Sequence, residues 1–143
     1  MSEAELPFFV YGTLRPGEYN HDLFLRGRTA AEEPARLPGA VLYEGPGYPY
    51  AVELPAPAAG AGVVGELITP AAGQYRDLLD VLDRLEEYHG PGRPRNVYDR
   101  VPRQAVRPDG TPVPAWVYVA AGPVAAELRA TGTLIAGGDW LRR

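Results

Sequence analysis

The chain has 143 residues and a formal net charge of −4, and its 17 glycines and 16 prolines are roughly twice their usual share. It contains no Cys, no Lys and a single Ser, Ser2. This composition excludes thiol chemistry, Cys-ligated zinc, Schiff-base chemistry, a P-loop and the nucleophile elbow of serine hydrolases.

Length and charge also bound the organisation and the partners of the protein. A chain of this size can form one core, so we expect a single domain over residues 1–143. The arginines are dispersed along an acidic chain, which argues against a nucleic-acid partner. The first residues are acidic and no apolar run approaches the roughly 20 residues of a membrane span, so we expect a cytoplasmic protein with no membrane partner. The oligomeric state stays open.

The first half of the chain alternates short strand patterns with turns. Residues 6–11 predict a strand that enters a turn over residues 12–17, and residues 20–25 predict one or two helical turns. Residues 30–54 carry weak strand patterns, which are interrupted at Pro38-Gly39 and at Gly45-Pro46-Gly47.

The second half contains the strongest helical pattern. After a predicted loop at residues 55–61 and a strand at 62–68, Pro70 is expected to open a helix over residues 71–88. Residues 97–106 and 113–119 predict a hairpin around Asp109-Gly110, and a short helix is expected near 123–130. These elements indicate an α+β fold whose mostly antiparallel sheet is able to close into a barrel.

One carboxylate interrupts the apolar face of the predicted long helix. At about 100° per residue, Glu86 falls within the stripe formed by Leu79, Leu82 and Leu85, whereas Glu87 turns away from it. A carboxylate removed from water must be paired, be protonated part of the time, or line a cavity. An ion pair with an arginine therefore remains an alternative to a role in proton transfer.

A metal site at this helix is the weaker interpretation. Glu86 and His89 have the Glu-x-x-His spacing that forms half of a di-metal site, but the sequence offers no second half. We therefore predict neither a metal nor another cofactor, and we expect His89 to interact with carbonyls at the end of the helix.

The turn after the first strand is a candidate binding element. Its glycines and successive N–H groups are able to form a nest for a carboxylate or a developing oxyanion, with Arg15 close by. The alternative is an ordinary turn with a surface arginine.

Four segments of the chain resemble those of γ-glutamylamine cyclotransferase-like proteins, in the family's order. They are Phe9 to His21, Leu82 to Glu86, Tyr98 to Arg100, and Gly138 to Trp140. The resemblance implies the γ-glutamyl cyclotransferase-like fold, a small mostly antiparallel β-barrel with flanking helices. It also implies cleavage of γ-glutamyl amides to 5-oxoproline and a free amine.

The resemblance further assigns roles to residues. It makes Glu86 the general acid and base, and Glu87 stands where the family often has Gly. The resemblance also makes the backbone of Tyr11, Gly12, Thr13 and Leu14 the cradle for the γ-glutamyl group. From the residues themselves we add Arg15, Tyr98 and Tyr118 as expected substrate-binding residues. In such a reaction the substrate's own α-amine attacks its γ-carbonyl, so the scarcity of protein nucleophiles is no obstacle.

Two other functions remain open at this stage. A domain of the same fold that binds γ-glutamyl ligands without turnover is one, and transfer of the γ-glutamyl group to water or another amine is the other. The amine half of the substrate is not specified, and we expect its contacts on the loops at residues 45–61 and 89–97.

Overall fold

The computed structural model describes residues 5–55 and 62–143. Its strands are, in chain order, β1 (Phe8–Val10), β2 (Thr29–Pro38), β3 (Ala40–Glu44), β4 (Pro49–Glu53), β5 (Gly62–Pro70), β6 (Tyr98–Val106) and β7 (Pro112–Ala120). Its α-helices are α1 (Tyr75–Leu85) and α2 (Gly122–Thr131). A π-helical turn at His21–Leu25 and short 3-10 turns at Ala136–Gly138 and Trp140–Arg142 complete the elements.

Five of these strands form a closed barrel in the order β1-β5-β2-β6-β7. Neighbouring strands of the barrel are antiparallel, except for β1 and β7. These two strands are parallel, with Phe8 and Phe9 paired to Trp116 and Val117. Strands β3 and β4 form a separate two-stranded sheet. The predicted α+β fold with a mostly antiparallel barrel is confirmed.

Alternation along the strands divides the core into two main parts. Phe9, Leu67 and Val117 belong to one buried cluster that draws residues from all five barrel strands. Phe8 and Ile68, which face the other way, are buried in a second cluster with the leucines of α1. The helix is therefore held against the outer surface of the barrel beside β1 and β5.

The long helix is shorter than the predicted range of 71–88 at both ends. Pro70 does not open it, because Pro70 is the last residue of β5 and Gly73 then adopts a φ of 81° in the connecting turn. At the other end, the N–H groups of Glu87 and Tyr88 bond to the carbonyls of Arg84 and Asp83, and Glu87 has a φ of 52°. This is a Schellman motif, which ends the helix at Leu85.

The remaining predicted elements lie close to their expected positions. The hairpin β6–β7 turns at Asp109-Gly110, and the breaks at Pro38-Gly39 and Gly45-Pro46-Gly47 separate strands. Residues 56–61 of the predicted loop lie outside the described residues. In the described part of the chain, no helix has the length and apolar character needed to cross a membrane.

Candidate active site

A cavity of about 270 Å³ opens where the turn after β1 meets the end of α1. Seven of the eight residues that the sequence singles out line it, namely Tyr11, Gly12, Thr13, Leu14, Glu86, Tyr98 and Tyr118. The sequence analysis did not single out Asn20 and Glu87 as lining residues, and it included Tyr48 and Pro49 only as part of the loop at residues 45–61. Tyr48 and Pro49 come from the β3–β4 hairpin, and no local signal indicates that this hairpin folds over the turn.

Glu86 occupies the C-cap of α1, and its backbone N–H still bonds to the carbonyl of Leu82. Within residues 5–55 and 62–143, its carboxylate makes no hydrogen bond or ion pair, so no arginine pairs with it there. Burial alone raises the pKa of Glu86 from 4.5 to about 7. The carboxyl group therefore exchanges a proton easily near neutral pH.

Glu87 is exposed, as its predicted turn away from the apolar stripe implies, but it also lines the cavity. The rule of 100° per residue does not predict this second property, because the helix has already ended and Glu87 has left-handed backbone angles. The side chain of Glu87 is exposed, so it lies at the solvent end of the cavity, whereas Glu86 is half-buried.

The turn after β1 presents its backbone to the cavity. In the described part of the chain, the N–H groups of Gly12, Thr13 and Leu14 donate no hydrogen bond, while the Gly12 carbonyl accepts one from the N–H of Arg15 at 3.1 Å. Asn20 Nδ2 donates to Thr13 Oγ1 at 2.8 Å. Three backbone donors are thus available where the sequence analysis placed a cradle.

Arg15 is the predicted site residue that does not line the cavity. Its side chain is buried, and its Nε and Nη2 donate to the two carboxylate oxygens of Glu66 at 2.8 and 3.0 Å. Its Nη1 donates to Asp139 Oδ1 at 2.8 Å. Because both neighbouring carboxylates engage the guanidinium, we assign Arg15 a structural role behind the turn in place of substrate binding.

Three of the tyrosines that line the cavity hold its walls together. Tyr98 Oη donates to the carbonyl of Pro49 at 2.8 Å, Tyr11 Oη donates to the carbonyl of Tyr118 at 2.5 Å, and Tyr118 Oη donates to Asp83 Oδ1 at 2.6 Å. Burial raises the pKa of each phenol well above its ordinary value. These hydroxyls therefore stay protonated at neutral pH.

Asp83 is the anchor for Tyr118. The same Oδ1 accepts a second hydrogen bond from Arg100 Nε at 2.8 Å, and the Arg100 guanidinium lies 4.2 Å from the ring centre of Trp116. Asp83 therefore fixes the phenol of Tyr118 from α1.

His89 takes no part in the cavity. Its side chain is exposed, and its backbone N–H donates to Asn96 Oδ1 at 2.7 Å. Among the described residues, no group of three or more His, Asp or Glu side chains is arranged to hold a metal ion.

The fold and the site together define a small mixed β-barrel whose cavity holds, as far as residues 5–55 and 62–143 show, an unpaired glutamate beside free backbone donors. The chain belongs to the family described as γ-glutamyl cyclotransferase, AIG2-like, whose model matches residues 8–142.

Individual relatives agree with this assignment. Over 115 residues the chain is 36% identical to γ-L-glutamyl-butirosin B γ-glutamyl cyclotransferase from Niallia circulans, a match that covers 78% of this chain and 64% of that protein. An AIG2-like protein from Mus musculus superposes with a TM-score of 0.56 at 26% identity, covering 81% of this chain and 77% of that one. YkqA from Bacillus subtilis shares the fold with a TM-score of 0.65 at 24% identity, covering 94% of this chain and 39% of that one.

Proposed function

We propose that the protein is a γ-glutamyl amide cyclotransferase, which converts a γ-glutamyl amide to 5-oxoproline and a free amine. The observation that carries the proposal is the unpaired Glu86 carboxyl in a cavity, where burial raises its pKa to about 7. Family membership and the relative that is named a γ-glutamyl cyclotransferase support the same reaction.

The chemistry requires one carboxylate that both accepts and donates a proton. The substrate's α-amino nitrogen attacks the γ-carbonyl carbon, a C–N bond forms, and Glu86 accepts the proton that this nitrogen loses. The tetrahedral intermediate then collapses, the original amide C–N bond breaks, and Glu86 gives the proton to the departing amine nitrogen. A carboxyl with a pKa near neutrality suits both steps.

The turn and the tyrosines position the substrate in this proposal. The free N–H groups of Gly12, Thr13 and Leu14 are donors for the glutamyl carboxylate or for the oxyanion that forms at the γ-carbonyl oxygen. Tyr98 and Tyr118 are held by their own hydrogen bonds, so they give the cavity a fixed shape. Holding amine and carbonyl together supplies the effective molarity of an intramolecular reaction.

The test compares wild type with Glu86→Gln on a panel of γ-glutamyl amines. We expect wild type to release 5-oxoproline and amine in equal amounts, and we expect turnover by Glu86→Gln to fall at least about 100-fold. Glu127→Gln is the matched control, since Glu127 is an exposed carboxylate on α2 that does not line the cavity. Mass spectrometry of the products and of the intact protein provides the measurement.

Three results would contradict the proposal. Release of free glutamate would indicate hydrolysis, and a covalent adduct on the protein would indicate a protein nucleophile. Ligands that raise the Tm of wild type without being cleaved would indicate a binding domain.

A further inference from the structure

The charged side chains that line the cavity all carry the same sign. Glu86 and Glu87 are the acidic members, and no arginine or histidine of the described residues lines it. The two segments outside the described residues, 1–4 and 56–61, contain no Arg, Lys or His in the sequence. Arg15, the arginine of the turn itself, is engaged by Glu66 and Asp139.

The side chain of Glu87 lines the cavity without a structural partner in the described part of the chain. It is exposed, it lines the cavity, and it makes no hydrogen bond or ion pair through its side chain within residues 5–55 and 62–143. The Schellman motif fixes its backbone through the 3.2 Å hydrogen bond from its N–H to the Arg84 carbonyl. Its charge is thus held at the solvent end of the cavity.

Aromatic rings also belong to the cavity wall and pack against one another. Tyr48 lines it and meets Tyr50 edge to face at 5.5 Å between ring centres, and Tyr50 stacks on Tyr98 at 5.1 Å. Burial is the main cause of the raised pKa of Tyr50, and the charges of Glu87 and Glu86 contribute to it as well, so their negative field reaches this group. Carboxylates beside aromatic faces are the surroundings that attract organic cations.

We propose that Glu87 determines specificity by selecting γ-glutamyl amides whose amine half carries a positive charge, and by disfavouring those whose amine half carries a carboxylate. The inference rests on the proposed cyclotransferase function and narrows its substrate class. The glutamyl half enters between Glu86 and the turn after β1, so the amine half extends toward the open end where Glu87 lies. A cation there meets opposite charge, whereas an anion meets like charge.

The experiment uses three γ-glutamyl amides that differ only in the end of the amine half. They are the conjugates of 1,5-diaminopentane, hexylamine and 6-aminohexanoate, which end in an ammonium, a methyl and a carboxylate. We expect kcat/KM of wild type to fall in that order. In Glu87→Gln, the ratio of kcat/KM for the cationic substrate to that for the anionic substrate should fall by about tenfold, as expected for one partly exposed charge interaction on each side.

Two further variants make the outcome decisive. Glu87→Gly removes the side chain at a position whose φ of 52° suits glycine, so it should lower the same ratio without backbone strain. Glu127→Gln should keep the wild-type ratio. A ratio that stays unchanged in both Glu87 variants, or an anionic substrate that wild type prefers, would overturn the inference.

Calorimetric titration of the same compounds into Glu86→Gln separates this inference from the proposed function. If wild type cleaves none of the three compounds, the cyclotransferase proposal fails. The charge preference is then read from the affinities of Glu86→Gln and of the Glu86→Gln, Glu87→Gln double variant. Equal affinities of Glu86→Gln for cationic and anionic compounds would overturn the inference by this route.

Discussion

Gly12 shapes the site because it has no Cβ atom. Its φ is not positive, so the turn does not require glycine for its backbone angles. A Cβ at this position would lie 2.7 Å from Pro49 Cδ and 2.9 Å from Pro49 Cγ. Glycine therefore allows the β3–β4 hairpin to pack onto the turn. In this position, the Pro49 carbonyl accepts a hydrogen bond from the hydroxyl of Tyr98.

We expect Gly12→Ala to lower kcat/KM at least tenfold, because the added methyl group must displace Pro49, which lines the same cavity. The overpacking should also lower the free energy of unfolding by about 1–3 kcal/mol. Gly122→Ala is the matched control, since a Cβ there meets no atom within 4 Å and its φ is not positive. Steady-state kinetics and urea unfolding measure the two effects. If Gly12→Ala kept the kinetics of wild type, the close packing of Gly12 against Pro49 would not matter for activity.

The sequence analysis was most successful for residues whose surroundings follow from local geometry. The apolar stripe of α1 pointed to Glu86, and the turn after β1 followed from its glycines. Arg15 was placed wrongly because its partners, Glu66 and Asp139, lie far away in sequence. Helical periodicity predicted the exposure of Glu87 but not its place in the cavity lining, because this residue follows the end of the helix and has left-handed backbone angles.

At the scale of elements, two distant segments of the chain hold the turn after β1 through Arg15. Arg15 belongs to the turn, Glu66 to β5, and Asp139 to the C-terminal segment. Asp139 Oδ1 also accepts a hydrogen bond from the N–H of Leu141, so the carboxylate orders the last 3-10 turn as well. The backbone donors that face the cavity depend on this arrangement for their positions.

We expect Arg15→Ala to lower the free energy of unfolding by about 3 kcal/mol, because it leaves two largely buried carboxylates without their partner. Arg103→Ala is the contrasting control. Its ion pair with Glu53 is exposed, with 42% and 37% of the side chains accessible, so the expected loss is below about 1 kcal/mol. Equal losses in urea unfolding of the two variants would contradict the structural role of Arg15.

At the scale of the whole molecule, the Glu86 carboxyl links stability to pH. Below pH 4.5 the folded and unfolded chains both keep its proton, so burial of the group carries no electrostatic cost. Between pH 4.5 and about 7 the unfolded chain loses the proton first, and the free energy of unfolding falls as pH rises. Above about pH 7 both states are ionised, and this loss is complete.

Glu86→Gln should therefore be more stable than wild type at pH 8, by about 2 kcal/mol, and nearly equal to it at pH 4.5. Because both proteins share every other titrating group, their difference isolates Glu86. Urea unfolding of the pair at pH 4.5, 6 and 8 measures it. A difference that is constant across these pH values would show that burial does not shift the pKa of Glu86.

The fold could be predicted from the sequence where paired strands are neighbours along the chain, and it could not be predicted where they are distant. The hairpin β6–β7 follows from the alternating strands around Asp109-Gly110, and the breaks within residues 30–54 separate strands as expected. The pairing of β1 with both β5 and β7 has no local signal, since its partners are positions such as Ile68 and Trp116. The antiparallel sheet was therefore foreseen, and its closure by a parallel pair was not.

The closure by β1 also bears on how the chain acquires its site during folding. Strand β1 has only three residues, and its partners lie in strands that are distant in sequence. Its insertion into the sheet therefore has a large entropic cost of loop closure, and it forms only a few hydrogen bonds that offset this cost. Insertion is therefore favoured only after β5 and β7 are in place. Because the cradle turn follows β1 directly, an intermediate that has formed every hairpin but lacks this strand has no place for a ligand.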